Sequence, residues 1–423
     1  MRVVVVALLA AAACAGATSA RAGAIQYGIQ DDAWVQYGPG TLNHRLATLK
    51  RLGVPLVRFT IHWDQVARRQ PKDASSPRDR AYDWRQPDRV LRGLRRHGLT
   101  PVLTLVGTPA WANNGRAANF APVRSRSMRG FAEAAARRYR WVRYWLVWNE
   151  PNHPLWLRPT KAAIYVRHLL NPAYEGIHAV LGNALVGGGV TAPRGGLGGV
   201  SPVAWLHGMA AAHAKLDAYA HNPYPLRPGE TPSSNGCRFC PTITMATLPK
   251  LLILVRRNFG RKPVWLTEYG YQTNPPDPAL GVTPRKQATL LSLAAMRAWR
   301  LRRVTMLIQY LYRDEPQLSR FQTGLVYVND VPKPSLNGFR LPFAEMGRTS
   351  FETRVWGQLR HGRTGRMPYR LEVLHRNAWV PVGHDRLTNE EGVFVRTIRL
   401  KRGALLRVWS PRQRLYSLRL RVY

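Results

Sequence analysis

The chain has 423 residues and combines a large excess of basic side chains with an ordinary apolar content. It carries 63 Lys and Arg against 23 Asp and Glu, a formal net charge of +40, yet 45% of its residues are hydrophobic and 10% are aromatic. These apolar fractions exclude a disordered polycation, because burial of so much apolar surface can offset the entropy lost on folding. The length exceeds one small core and fits a large domain, or a barrel with an added module.

The positive charge favours a nucleic-acid binder only weakly. The basic residues are mostly Arg, with nine Lys, and they are scattered along the chain rather than clustered. Binding that follows a phosphate backbone needs basic residues gathered on one face. We therefore expect no specific nucleic-acid partner, and binding of an anionic polymer is kept as an alternative.

The first 22 residues have the pattern of a secretory signal peptide. Arg2 supplies a positive charge, Val3 to Ala13 form an apolar run, and Ala20-Arg21-Ala22 is a small-x-small cleavage site. The run is shorter than the roughly 20 residues that span a bilayer. Lipidation of Cys14 is the minor alternative, because Ala11 stands where a lipid-attachment signal has Leu. The sequence predicts a secreted or cell-wall associated protein without a transmembrane segment.

Once the leader is removed, Cys237 and Cys240 are the remaining cysteines. In an oxidising compartment this Cys-Arg-Phe-Cys pair predicts a small loop disulfide. A zinc site is disfavoured, because no second Cys or His pair stands nearby with zinc-ligand spacing. We expect neither a metal nor an organic cofactor.

Residues 24 to 345 alternate short apolar runs with longer amphipathic segments. Strands that are nearly all apolar and alternate with helices call for a parallel sheet covered on its outside. Eight repeats in about 320 residues favour a closed (β/α)8 TIM barrel over an open sheet. The predicted strands are Ala24–Gln30, Leu56–Trp63, Thr100–Gly107, Tyr144–Trp148, Ala184–Val190, Leu216–Ala220, Pro263–Thr267 and Val304–Tyr312, and the predicted helices lie within Thr41–Leu52, Pro87–His97, Met128–Arg140, Ala162–Leu181, Val203–Ala214, Met245–Phe259 and Thr283–Trp299.

Beyond Pro342 the hydrophobic pattern changes to period two. Residues 346 to 423 are rich in β-branched and aromatic side chains separated by turn residues, which predicts a small antiparallel β-sandwich. They hold 17 Lys and Arg against five Asp and Glu. We expect this module either to hold acidic cell-wall polymer or to serve as a spacer with a charged face. The predicted strands are Arg354–Leu359, Tyr369–Leu374, Val393–Leu400, Leu405–Trp409 and Tyr416–Val422.

Two acidic residues stand at the ends of apolar strands. Glu150 follows the fourth predicted strand and Glu268 the seventh. A charge in such a place is unfavourable unless it is paired or used, and the reacting groups of a TIM barrel lie where its strands end. Strands four and seven lie on opposite sides of an eight-strand ring, so the two carboxylates can face each other across a sugar-sized gap. One acid of such a pair protonates the leaving oxygen of a glycosidic bond, while the other attacks the anomeric carbon or activates water.

The segments around these acids resemble those of clan A glycoside hydrolases, such as families 39 and 5. The two motifs are Trp148-Asn149-Glu150-Pro151 and Thr267-Glu268-Tyr269-Gly270. The resemblance covers most of residues 24 to 345. It implies that Glu150 is the general acid/base, Glu268 the nucleophile and Asn149 the partner of a sugar 2-hydroxyl. We expect hydrolysis of a β-linked oligo- or polysaccharide with retention of configuration.

The same resemblance implies further site residues. Arg58 on strand two would brace the nucleophile, and the alternative is a buried salt bridge. His221 and Tyr224, after strand six, resemble site elements of the family, and Tyr224 would hydrogen-bond the nucleophile and help to keep it ionised. For these two residues ordinary core packing is the alternative.

Aromatic residues are candidate platforms for the apolar face of a sugar. Trp111, just after strand three, is the main candidate, and Trp63, Trp148 and Trp156 are weaker ones. Many family members have Trp at the end of strand eight, whereas this chain reads Ile308-Gln309-Tyr310-Leu311-Tyr312. Gln309 or Tyr310 is therefore expected to serve that subsite.

A different class of function remains as an alternative. A catalytically silent barrel could bind wall polysaccharide and use the same Trp and Asn residues for recognition alone. The presence of both carboxylates and their apparent partners favours the enzyme, because a pure binder does not need two acids.

Overall fold

The computed structural model describes residues 25 to 362 and 365 to 422. The predicted signal peptide, with Cys14, lies outside the described residues. The described part has the predicted architecture, a closed barrel followed by antiparallel sheets.

Eight parallel strands form the barrel in chain order, and β1 pairs with both β2 and β8 to close it. All eight predicted strands are present, close to their expected ends. Their side chains are nearly all buried, as expected for a parallel sheet covered by helices. The strands are β1 (Gln26–Gln30), β2 (Leu56–His62), β3 (Thr100–Val106), β4 (Tyr144–Val147), β5 (Leu185–Thr191), β6 (Ala218–His221), β7 (Val264–Tyr269) and β8 (Val304–Tyr310).

Helices cover the outside of the barrel. The seven predicted helices are confirmed, and three short ones, α1, α3 and α11, escaped sequence prediction. A π-helical turn, Val166–Leu170, joins α6 to α7. Among the described residues, no helix is long and apolar enough to cross a membrane. The helices are α1 (Asp32–Tyr37), α2 (Leu42–Arg51), α3 (Trp63–Val66), α4 (Arg85–Arg96), α5 (Ser125–Arg138), α6 (Ala162–Tyr165), α7 (Asn171–Val180), α8 (Pro202–Ala211), α9 (Leu248–Phe259), α10 (Pro284–Arg300) and α11 (Pro334–Arg340).

Asp31 joins the end of β1 to the loop that follows β8. Its Oδ1 accepts a hydrogen bond from the backbone N–H of Trp34 at 3.0 Å and so caps α1. Its Oδ2 accepts from the N–H groups of Tyr312 and Arg313, at 3.2 and 3.0 Å. Burial raises the pKa of the Asp31 carboxyl to about 7. These bonds hold the seam between the first and last strands at the end where a TIM barrel carries its site.

The C-terminal strands form a three-stranded and a six-stranded antiparallel sheet. The five predicted strand segments are confirmed, although the last one is two short strands. The first strand of these sheets begins at Phe343, directly after Pro342. Buried Leu, Val and aromatic side chains form a core of their own between the sheets. The strands are β9 (Phe343–Arg348), β10 (Glu352–Gln358), β11 (Pro368–His375), β12 (Ala378–Pro381), β13 (Arg386–Leu387), β14 (Val393–Arg399), β15 (Leu405–Ser410), β16 (Leu415–Tyr416) and β17 (Leu420–Arg421).

The sheets pack closely against the barrel. The buried ring of Trp356 on β10 lies 6.1 Å from that of Trp299 on α10. The guanidinium of Arg360 is buried between the rings of Tyr27 and Phe339, at 4.0 and 4.6 Å, and donates to the Phe339 carbonyl at 2.8 Å. A buried cation held by two rings and a carbonyl ties the two parts together.

Candidate active site

A cavity of about 890 Å³ opens at the C-terminal end of the barrel strands. Five of the six residues to which the resemblance assigns a place in the site line it. Because they come from β2, β4, β6 and β7 or the loops just after them, the barrel itself brings them together. The five are Arg58, Asn149, Glu150, Tyr224 and Glu268.

Glu268 lies near the end of β7 and is 7% exposed. Arg58 donates from Nη1 to its Oε1 at 2.7 Å, and the Tyr224 hydroxyl donates to its Oε2 at 3.2 Å. Arg58 is itself held by the Thr104 hydroxyl and the Thr267 carbonyl, at 2.9 and 3.0 Å. Both carboxylate oxygens of Glu268 therefore accept from donors that favour the ionised form.

Arg58 also orients Asn149. Its Nη2 donates to the Asn149 Oδ1 at 2.9 Å. Because a guanidinium can only donate, the oxygen of the Asn149 side chain must face it. The amide nitrogen is then the group that remains to donate to a ligand in the cavity.

Glu150 has a different partner. The Asn222 side chain donates from Nδ2 to the Glu150 Oε1 at 3.1 Å, and Thr267 donates to the Asn222 Oδ1 at 2.8 Å. Sequence reasoning missed Asn222, which is fully buried. Its position directly after an apolar strand, next to His221, is the feature from which a role in the site could have been predicted.

The backbone around Glu150 is strained. Trp148 and Glu150 have φ angles of 70° and 40°, and Val190 at the end of β5 has a φ of 44°. Each such residue costs about 1–3 kcal/mol and persists only where its surroundings impose it. The Trp148 N–H donates to the Leu105 carbonyl at 2.8 Å, and the Glu150 N–H donates to the Val190 carbonyl at 2.9 Å. Neighbouring strands thus hold the turn that aims Glu150 into the cavity.

The two carboxyl groups differ in their affinity for a proton. Burial, and then the nearby charge of Glu268, raise the pKa of Glu150 to about 7. Burial also raises the pKa of Glu268, but the charge and hydrogen bond of Arg58 and the hydrogen bond of Tyr224 oppose this rise. Because Glu268 accepts from a guanidinium and a phenol and Glu150 accepts from one amide, these contacts favour ionisation of Glu268 over that of Glu150.

Aromatic rings from three segments form part of the cavity wall. The ring of Phe321 lies 5.1 Å from that of Tyr310 and 5.7 Å from that of Tyr224. Tyr310 thus occupies the strand-eight position for which Gln309 was the other candidate. Phe321, in the loop after β8, escaped sequence prediction.

Gly270 shows why the motif after Glu268 ends in glycine. It lines the cavity, and a Cβ at this position would stand 2.7 Å from the Tyr310 carbonyl oxygen and 2.8 Å from the Thr323 Cβ. A side chain here would therefore displace the strand that carries Tyr310.

Three predicted site residues are not among the residues that line the cavity. Gln309 is buried and donates to the carbonyls of Tyr310 and Thr323, both at 2.9 Å. The indole of Trp111 donates to the Ala67 carbonyl at 2.7 Å and packs edge-on against the buried Trp63. Both side chains donate to backbone carbonyls of segments next to the site.

His221 is the third of these residues. It is fully buried, with Nδ1 2.8 Å from the Thr191 hydroxyl and Nε2 2.9 Å from the Ile243 carbonyl. Burial lowers the pKa of its imidazole to about 4, so the ring is neutral. It joins the ends of β5 and β6 beneath the site.

The remaining predictions concern tryptophans and cysteines. Trp156 lines the cavity and is 39% exposed, whereas Trp148 is buried and its indole donates to the Trp156 carbonyl at 2.7 Å. Cys237 and Cys240 form the predicted disulfide. Within the described residues, no cluster of His, Cys, Asp and Glu could hold a metal ion.

Comparison with known proteins identifies solved structures that share this fold. The sequence matches no protein-family model and no curated protein. Solved structures do match it. A family 39 glycoside hydrolase from Bacteroides cellulosilyticus superposes with a TM-score of 0.57 at 17% identity, over 90% of this chain and 80% of that one. The chain shares the fold of glycoside hydrolases.

Two further structures extend the likeness. A monomeric β-xylosidase from Caulobacter crescentus gives a TM-score of 0.58 at 14% identity, and a glucosidase from Croceicoccus marinus gives 0.59 at 13%. Each match covers 91% of this chain and 95% of the other. The resemblance to family 39 inferred from the two motifs is thus confirmed at the level of fold. One fold serves both a xylosidase and a glucosidase, so the fold does not identify the sugar. The sugar has to be inferred from the residues of the site.

Proposed function

We propose that this chain is an exported, retaining glycoside hydrolase acting on β-linked oligo- or polysaccharides or other β-glycosides. The observation that carries the proposal is the unequal environment of its two carboxyl groups. Glu268 receives a guanidinium and a phenol, whereas Glu150 receives one amide and has a pKa of about 7. An ionised nucleophile beside a protonated acid is the starting state of double displacement.

In the first step the Glu268 carboxylate attacks the anomeric carbon, and the bond from that carbon to the leaving oxygen breaks. Glu150 gives its proton to that oxygen. In the second step Glu150, now ionised, takes a proton from water, and the water oxygen attacks the anomeric carbon and releases Glu268. Asn149 is placed to donate to the sugar, and Tyr310 and Phe321 offer aromatic surface for its apolar face.

The direct test uses purified protein and a panel of aryl β-glycosides, with the released phenol measured by absorbance. Proton NMR of the first sugar released reports the anomeric configuration. We expect hydrolysis of at least one glycoside with a β-anomer as first product. A first product with the α configuration would contradict double displacement, and hydrolysis of none of the panel would contradict the proposed activity.

Export and wall association are part of the proposal. Residues 1 to 22 support export by their signal-peptide pattern. A groove on the C-terminal sheets, formed by β9, β14 and the turns after them, supports wall association. It is lined by Arg348, Phe351, Arg399, Lys401 and Arg402, with Glu352 as the acidic residue of its lining. Such a cationic groove with an exposed aromatic ring suits an anionic polysaccharide.

Retention on an immobilised acidic polysaccharide tests the groove. We expect the protein to elute at moderate salt, and a variant with Arg399, Lys401 and Arg402 changed to Gln to elute earlier. A triple variant of Arg126, Arg167 and Arg257, three exposed residues of the barrel, has the same net charge and is the control. Equal elution of the two variants would assign retention to overall charge.

A further inference from the structure

The catalytic cavity has two unlike walls. On the side of β1 and β2 it is lined by Gln30, Asp32 and His62, whose polar groups suit sugar hydroxyls. The Asp32 carboxylate accepts from the Thr60 N–H and from the Gln30 side chain, both at 3.2 Å. Together with Glu268 it makes this wall unfavourable for a second negative charge on a bound sugar.

The opposite wall is apolar. Leu155 and Trp156 lie in the loop that follows Glu150, and Leu197 lies in the loop after β5. Their exposed fractions are 70%, 39% and 88%. Large apolar side chains gathered on one wall of a cavity and left in contact with water mark a surface that a ligand covers.

Arg194 lies in that apolar wall. It lines the cavity and is exposed, and in the described part of the chain its side chain has neither a hydrogen bond nor an ion pair. Its charge is close enough to lower the pKa values of Glu150 and His153. Arg227, which also lines the cavity, donates to the Asn235 carbonyl at 3.2 Å. Neither guanidinium has an acidic partner among the described residues, and Arg194 is the one that also makes no hydrogen bond, so its donors are left for a ligand.

The position of Glu150 indicates which part of the substrate contacts the apolar wall. Glu150 delivers its proton to the leaving oxygen, so groups beside Glu150 contact the leaving group. The two loops that carry Leu155, Leu197 and Arg194 follow β4 and β5, on Glu150's side of the barrel. The polar wall on β1 and β2 is then left for the sugar that becomes attached to Glu268.

We propose that the leaving group is an apolar aglycone that carries a negative charge, of the class of aryl carboxylates, attached to a neutral sugar. This inference rests on the proposed function, because the acid role of Glu150 identifies the side of the leaving group. A second neutral sugar would leave Arg194 without a counter-ion and would place hydroxyl groups against Leu155 and Leu197.

Binding of matched thioglycosides, which resist hydrolysis, tests the proposal. The probes are the β-thioglucoside and β-thioxyloside of 4-mercaptobenzoate, each compared by calorimetry with the corresponding 4-mercaptobenzamide. We expect one sugar pair to show about two- to fivefold tighter binding of the benzoate at low salt, the range for one exposed ion pair. The preference should shrink at high salt and vanish in Arg194→Gln, but persist in Arg126→Gln, an exposed Arg on α5.

Two further binding measurements test the apolar wall and the rival ligand. Leu197→Ser should weaken binding of both aryl probes and leave the benzoate preference intact. A thioglycoside whose leaving unit is glucuronic acid carries the same charge on a polar sugar, and tighter binding of that probe than of the benzoate would overturn the aryl assignment. Equal affinity for benzoate and benzamide, or a preference that survives in Arg194→Gln, would overturn the role of Arg194.

Hydrolysis of the oxygen-linked analogues separates this inference from the proposed function. If the protein binds the benzoate through Arg194 but hydrolyses no β-glycoside, the enzymatic proposal fails and the binding site stands. If it hydrolyses neutral aryl glycosides and shows no Arg194-dependent benzoate preference, the enzymatic proposal stands and this inference fails.

Discussion

Glu150 and Glu268 are the same residue type in the same kind of place, and their surroundings make them chemically different. Each follows or ends an apolar strand, and both line the same cavity. Glu268 meets Arg58 and Tyr224, whereas Glu150 meets Asn222 and the charge of Glu268. The comparison shows that hydrogen-bond partners and nearby charges, and not burial alone, decide which of two acids in one cavity keeps its proton more readily.

The largest expected effect comes from Glu268→Gln. Without a nucleophile the covalent intermediate cannot form, so kcat/KM for an aryl glycoside should fall by about 10⁴-fold or more. Initial rates of phenol release measure the loss. Glu175→Gln, on α7 and outside the cavity lining, is the control and should keep the wild-type rate. A Glu268→Gln variant with near wild-type activity would show that the two carboxyl roles are misassigned.

Glu150→Gln should have a large effect that depends on the leaving group. The loss should reach about 10²–10⁴-fold for a poor leaving group and be smaller for an activated phenol, because only the poor one needs the proton. In the wild type, kcat/KM should decline above about pH 7, because Glu150 loses its proton above its raised pKa and can then no longer act as the acid. That alkaline decline should be absent from the variant. An unchanged decline would assign it to another group.

Tyr224→Phe removes the hydrogen bond that the Tyr224 hydroxyl donates to Glu268. Loss of one hydrogen bond to a charged group is worth about 1.5–3 kcal/mol, so kcat/KM should fall by roughly 10- to 100-fold. The pKa of Glu268 should rise, which moves the acid limb of the pH profile to higher pH. Tyr37→Phe, at a position 78% exposed, is the control. A shift of the alkaline limb instead would connect Tyr224 to Glu150.

Asn222→Ala should have the smallest effect of these variants on kcat/KM. It should shift the alkaline limb of the pH profile, whereas Tyr224→Phe shifts the acid limb. The Asn222 amide donates to Glu150 and favours its ionised form, so its removal should raise the pKa of Glu150 further above its ordinary value. The alkaline limb of kcat/KM should then move up by about one pH unit or less, because the pKa reflects only the difference between the hydrogen bond to the ionised form and that to the protonated form. Thr267→Val, which removes the support of Asn222, should shift it less in the same direction. A downward shift would mean that Asn222 stabilises the protonated acid.

Local sequence patterns were sufficient for the barrel and for the pair of acids. Apolar runs of strand length alternate with amphipathic helices, so each element could be placed independently of the others. Glu150 and Glu268 stood out because a carboxylate directly after such a run needs a reason to be there. The short helices α1, α3 and α11 were not predicted, because a helix of one or two turns has too few residues to show a periodic hydrophobic pattern.

Adjacent residues at strand ends were harder to assign. Gln309 and Tyr310 point to opposite faces of β8, and only Tyr310 lines the cavity. His221 and Asn222 pose the same problem at the end of β6, where His221 is buried beneath the site and Asn222 reaches Glu150. Neighbouring side chains in a strand alternate between faces, and the strand's register with its neighbours decides which one meets the ligand.

The sequence by itself determined a barrel followed by antiparallel sheets, and it determined which carboxylates end apolar strands. Only the tertiary structure decided which donors each carboxylate meets. Arg58 reaches Glu268 across 210 residues of chain and Asn222 reaches Glu150 across 72. Such pairings follow from closure of the ring, which brings distant strand ends to one face, and the proton affinity of each acid depends on the donors that arrive there. The +40 charge of the whole chain decides neither pairing.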